Sequence, residues 1–137
     1  MRNRVTIVKR EFKVNKEKNT VVCVMTCRIN APEDVDYAYM PREVDNKINK
    51  ILKTKTVCST FVVIGISKCH ADDTFDEVLG KRIAESRAKK DAYDKAHKVW
   101  DIIYKHYIKM AKLASNMSVA CYKAKDIEVE HIIRLKR

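Results

Sequence analysis

From Lys81 to Arg137 the chain contains neither glycine nor proline, and the middle of that stretch reads as one long, basic, amphipathic helix. No other feature limits the fold so sharply. A chain of 137 residues makes one domain of ordinary size, with a radius of gyration of about 14 Å. A helix from Phe75 to about Ser115 would measure roughly 60 Å at about 1.5 Å per residue. Either it bends back near Ser115 and Asn116 to lie across its own sheet, or its second half projects and another subunit covers it.

The remainder is also poor in turn formers. Gly65, Gly80, Pro32 and Pro41 are the only glycines and prolines, so the elements are few and long. Hydrophobic residues make up 46% of the chain, enough for a packed core. No apolar run reaches the roughly 20 residues of a membrane span. The opening MRNRVTIVKREF is too charged for a secretory signal, which predicts a cytoplasmic protein.

Val5 to Val14 alternates imperfectly: Val5 and Ile7 share one parity, Val8, Phe12 and Val14 the other, as in a strand that is partly exposed or bulged. Asn15 to Asn19 is a turn. Thr20 to Asn30 then alternates cleanly, with Val21, Cys23, Met25, Cys27 and Ile29 on one face, completing a hairpin. After a loop holding Tyr37 and Tyr39, Val44, Ile48, Ile51 and Leu52 recur at helical spacing behind Pro41. Thr54 to His70 is the third strand, apolar on both faces through Phe61-Val62-Val63-Ile64, which predicts a central position. Gly65 within it marks a bulge or a close backbone approach.

Thr74-Phe75-Asp76-Glu77 fits a capping box, and Asp72, Asp73 and Asp76 suit the positive end of a helix. Acid-first pairs then repeat at i,i+4: Glu77-Lys81, Glu85-Lys89, Asp91-Lys95, Asp94-Lys98 and Asp101-Lys105, each contributing about 0.2–0.5 kcal/mol. One stripe runs Ala84, Ala88, Ala92, Ala96, Val99, Ile103, Tyr107, Met110, Ala114. Its alanine half permits close packing, while bulky residues such as Trp100, Tyr104 and Ile108 in the second half predict homo-oligomerisation through the helix. Asp126 to Arg137 alternates as Ile127, Val129, His131, Ile133, Leu135, which fits a final strand. The predicted class is therefore α+β, one domain over 1–137. The sheet is antiparallel, of three or four strands; residues 1–70 are mainly sheet, with a short helix at 41–53 between strands two and three. A long helix occupies 74–115, and a C-terminal segment, 116–137, ends as a strand.

Catalytic signatures are missing from the sequence: it has no Gly-rich phosphate loop, GxSxG, HExxH or DxDxDG. His70, His97, His106 and His131 are scattered. The five cysteines, Cys23, Cys27, Cys58, Cys69 and Cys121, include no CxxC pair, which argues against a zinc site or a disulfide scaffold. Cys23 and Cys27 share a strand face about 13 Å apart at about 3.3 Å per residue, too far to bond, and read as reduced, buried thiols. The expectation is a non-enzymatic protein without metal or cofactor.

Charge is the more informative property. The formal net charge is +11, from 29 Lys+Arg against 18 Asp+Glu, which favours anionic partners. Lys81, Arg82, Arg87, Lys89 and Lys90 crowd the start of the helix, and Lys68 precedes them. Arginine grips phosphate through paired N–H groups while an aromatic ring stacks on a base. The candidate phosphate ligands are Lys68, Arg82, Arg87 and Lys90, and the candidate stacking rings are Phe75 and Tyr104. The plain alternative is a solvated basic face.

The stretch from Gly65 to Lys90, with the skeleton Lys68-Cys69, Asp73, Phe75-Asp76, Gly80, Ile83-Ala84 and Arg87-Ala88, resembles a strand-to-helix segment of small proteins from bacteriophages and prophages of Gram-positive bacteria. In build and charge the chain resembles their Thoeris anti-defence sponges. That resemblance implies binding, without degradation, of a cyclic nucleotide or ADP-ribose-type immune signal in the host cytoplasm. Ser86-Arg87-Ala88-Lys89-Lys90-Asp91-Ala92 also resembles the lysine-rich start of the last helix of double-stranded RNA-binding domains, which implies a nucleic-acid partner instead. A third expectation is a protein inhibitor that docks on an acidic host factor.

Overall fold

A computed structural model describes residues 4–32, 40–55, 60–70 and 73–137. Expectations about Tyr37, Tyr39, Cys58 and Asp72 lie outside those residues. The architecture is α+β, in the order β1 (Val5–Asn15), β2 (Thr20–Ile29), α1 (Arg42–Leu52), β3 (Phe61–Lys68) and α2 (Glu77–Leu135). The strands form one antiparallel sheet in the order β1-β2-β3. Its three strands are all that the described residues supply.

The uneven pattern of β1 is resolved by a bulge. Ile7 pairs with Cys27 and Lys9 with Thr26, so Val8 is the extra residue. An inserted residue reverses the parity of the strand beyond it. Val5 and Ile7 before it, and Arg10, Phe12 and Val14 after it, therefore lie opposite the inward residues of β2. Asn19 adopts a left-handed conformation (φ 48°) in the hairpin turn, where the Asn15 side-chain oxygen accepts the Lys18 amide at 3.1 Å. The Cys69 amide donates to the Asn19 carbonyl at 2.8 Å, tying the end of β3 to that turn.

Strand β3 pairs only with β2, so it is an edge strand and not the central strand its apolar run suggested. It is also shorter than expected. Phe61, Val63, Gly65 and Ser67 are buried, whereas Val62, Ile64 and Ile66 are exposed. The apolar outer face exists because none of the described residues covers it.

Helix α1 buries Val44, Ile48 and Leu52 along one stripe. Pro41 precedes its first turn, and Lys53 closes it in the left-handed region (φ 55°). Helix α2 crosses the inner face of the sheet. Ala84, Ala88, Ala92, Ala96 and Val99 are buried with Val21, Cys23, Met25, Cys27, Phe61 and Val63. A Cβ on Gly65 would run into the main-chain carbonyl of Ala84 and the amide of Ala88. The glycine is thus a close backbone approach, made possible by the alanine stripe. Across the helix, Arg10 pairs with Glu85, and the Lys81 ammonium lies 5.7 Å from the Phe12 ring centre.

Two expectations about α2 are corrected. Its first free amides are capped by Asp76, whose carboxylate accepts the Leu79 amide at 3.1 Å, and not by Thr74. Neither a break at Ser115 nor a C-terminal strand exists: residues 116–135 are helical. Extending a formed helix adds one hydrogen bond per residue, whereas a new strand needs a partner, and weak β preference cannot offset that difference. Side chains within this stretch support the helix, with Arg134 3.9 Å from Glu130 and His131 3.7 Å from Glu128.

The chain comprises two compact units, Met1–Ile102 and Ile103–Arg137. The first holds the sheet, α1 and the core. The second is helical through Leu135, and every residue beyond His106 is exposed.

Candidate anion-binding site

The first turns of α2 carry two chemically distinct flanks. Lys81, Glu85 and Lys89 lean towards β1, where the Glu85 carboxylate meets Arg10 and also lies 3.6 Å from Lys89. On that flank each cation stands beside a carboxylate, Arg10 and Lys89 beside Glu85 and Lys81 beside Glu77. Arg82, Ile83, Ser86, Arg87 and Lys90 recur at i,i+4 and i,i+3 spacing on the opposite flank and outer surface. Together they line a single open depression of about 360 Å³.

Arg87 is the anchored member. Its Nη1 donates to the Ile66 carbonyl at 2.6 Å, at the edge of β3. A guanidinium has five N–H donors, so four remain after this bond, and their direction is set by the strand. Arg82 and Lys90 have no acidic partner among the described residues, unlike Lys81, Lys89, Lys95 and Lys98, which each stand within salt-bridge distance of a carboxylate. No carboxylate lines the depression. Ile83, 36% exposed, supplies an apolar surface between the charges.

Of the six residues singled out from the sequence, Arg82, Arg87 and Lys90 are thus brought together. Lys68 is exposed at the end of β3 and Phe75 is half-buried ahead of α2; neither lines the depression. Tyr104 is exposed and belongs to the second unit. Ile83 and Ser86 were missed, although both follow from helical spacing once Arg82, Arg87 and Lys90 are placed on one side.

A larger hollow of about 710 Å³ lies at the β1–β2 turn, lined by Lys13, Lys16 and Lys18 but also by Glu17. Its cations are all lysines on a turn, and a carboxylate sits among them, so it is the poorer anion site. Burial raises the thiols of Cys23 and Cys27 above their usual range, which removes them from nucleophilic chemistry. Among the described residues no three His, Cys, Asp or Glu side chains are grouped to hold a metal. No described helix is long and apolar enough to cross a membrane. Comparison with protein-family models, curated proteins and solved structures finds no match.

Proposed function

We propose that this chain is a non-enzymatic binding protein that holds a phosphate-bearing nucleotide at the Arg82–Arg87–Lys90 depression. The observation that supports this best is the convergence of three cations on one acid-free surface, with one guanidinium held in place by a strand carbonyl. Arg87 and Arg82 would each offer paired N–H groups to phosphate oxygens, Lys90 a mobile point charge, and Ile83 a surface for a ribose or base. About 360 Å³ is at the small end for organic ligands and suits a nucleotide better than a polymer. Following the phage resemblance, the ligand is a cyclic nucleotide or ADP-ribose-type signal, sequestered intact in the host cytoplasm.

The test is calorimetry and thermal unfolding with a panel of cyclic nucleotides and ADP-ribose isomers. One ligand should raise the melting temperature and be recovered unchanged after denaturation. At a hundredfold excess over Kd, the stabilisation is about 2.7 kcal/mol. Replacing Arg82 or Lys90 with alanine should weaken binding by roughly 10- to 100-fold, the loss of a charge-assisted contact; Lys81→Ala should not. A flat panel would sink the proposal. Binding to DNA or RNA of any sequence, falling steeply with salt, would replace it with the nucleic-acid reading.

A further inference from the structure

Tyr93 stands one turn beyond the anion depression, on the same helix and within the same compact unit. At about 3.6 residues per turn, Arg82, Ser86, Lys90 and Tyr93 lie within about 80° of one another around α2. Along the axis Tyr93 is about 4.5 Å from Lys90 and about 10.5 Å from Ser86. Side chains on a helix lean towards its N-terminus and cover the turn before their own Cα. The ring of Tyr93 is therefore directed back over the turn of Lys90, towards the depression.

That ring is open to a ligand. Tyr93 is 54% exposed, and among the described residues no other ring meets it and no hydrogen bond reaches its hydroxyl. The carboxylates near it in sequence are engaged elsewhere: Asp91 stands 2.7 Å from Lys95, and Asp94 stands 3.1 Å from Lys98. Ile83 gives the depression an apolar surface but has no π face on which a base can stack. Phe75 is half-buried, and Tyr104 belongs to the other unit.

We infer, on the anion-binding reading of the depression, that Tyr93 is its base-stacking wall. The ligand class is then a phosphate joined to an aromatic base, and not a bare phosphate or a sugar phosphate. Phosphate oxygens sit among Arg82, Arg87 and Lys90, the ribose lies against Ile83, and the base runs towards the C-terminal end of the helix onto Tyr93. From Arg82 to Tyr93 the row covers about 17 Å at about 1.5 Å per residue, which no phosphate ion spans. Stacking uses the face of the ring, so the Tyr93 hydroxyl is dispensable and a phenyl ring serves as well.

The test is calorimetry on the full chain with cyclic AMP, cyclic di-AMP and ADP-ribose, and with ribose 5-phosphate and pyrophosphate as probes that lack a base. Tyr93→Ala should raise the dissociation constant of whichever nucleotide binds by roughly 5- to 150-fold, the loss of one base–aromatic stack. Tyr93→Phe should stay close to the parent. The base-free probes should bind more weakly than the nucleotide, and equally to the parent and Tyr93→Ala. Base protons of the bound nucleotide should move upfield by NMR in the parent and in Tyr93→Phe, and not in Tyr93→Ala. Because Tyr93 is exposed, the melting temperature without ligand should change little in either variant. A nucleotide held equally by the parent and Tyr93→Ala, a base-free probe held as tightly as the nucleotide, or equal losses in Tyr93→Phe and Tyr93→Ala would each overturn the role of Tyr93 and leave the anion site standing. If none of these probes binds, the anion site itself falls and the role of Tyr93 falls with it.

Discussion

Replacing Gly65 with alanine is the sharpest perturbation of this fold. In a strand interior, alanine would ordinarily gain about 0.5–1 kcal/mol over glycine by restricting the unfolded chain. Here the added methyl would coincide with the Ala84 carbonyl and the Ala88 amide. Both obstacles are main chain, so no rotamer change clears them, and α2 must lift from the sheet along its alanine stripe. Overpacking costs about 1–3 kcal/mol and sometimes more; a backbone obstacle places Gly65→Ala at the upper end. About 3 kcal/mol shifts the unfolding constant on the order of a hundredfold and lowers the melting temperature by about 10 °C for a chain of this length. Urea unfolding should show a lower midpoint at unchanged slope. Adding Ala84→Gly should not rescue the variant, because the obstructing carbonyl remains. A Gly65→Ala chain as stable as the parent would refute the close helix–sheet contact and the role given to the alanines.

Three smaller effects are expected. Burial holds the Cys23 and Cys27 thiols above their unfolded value, so they contribute stability that is full below about pH 8.5 and is lost as pH rises from there through their folded values. The urea midpoint should therefore fall between about pH 8 and about pH 10, and fall less in a Cys23→Ala/Cys27→Ala chain. Lys53→Gly, at the left-handed end of α1, should stabilise by about 1 kcal/mol, read by thermal unfolding. Asp76→Ala should cost about 1 kcal/mol through loss of the bond to the Leu79 amide in the same assay.

Local patterns carried much of the fold. The alternation of β2 defined the inward face, the parity change in β1 pointed to an irregular strand without placing the bulge at Val8, and Gly65 was readable as a bulge or a close approach, of which the structure shows the second. The position of β3 was not legible. A run such as Val62-Val63-Ile64 is apolar on both faces whether both are buried or one is left open, and only the sheet order separates the cases. The C-terminal segment misled for a related reason. Ile127, Val129, Ile133 and Leu135 alternate, but a helix already formed extends more cheaply than a lone strand can pair. For the candidate site, spacing alone could group Arg82, Arg87 and Lys90 on one side of a helix. The bond from Arg87 to Ile66 joins residues 21 apart and depends on where α2 crosses the sheet, which no local pattern encodes. Phe75 and Tyr104 were chosen for their ring chemistry, and the depression forms without either.

The bond between Arg87 and the Ile66 carbonyl has a consequence for the colloidal behaviour of the protein. A strand edge with an apolar flank invites neighbouring molecules to add strands of their own. On β3, a fixed positive charge stands at that edge and occupies one of its acceptors, so like-charged copies repel where they would otherwise pair. Under the proposed function, an anion that neutralises Arg87 would weaken this guard as it bound, so that solubility and ligand capture would draw on the same side chain.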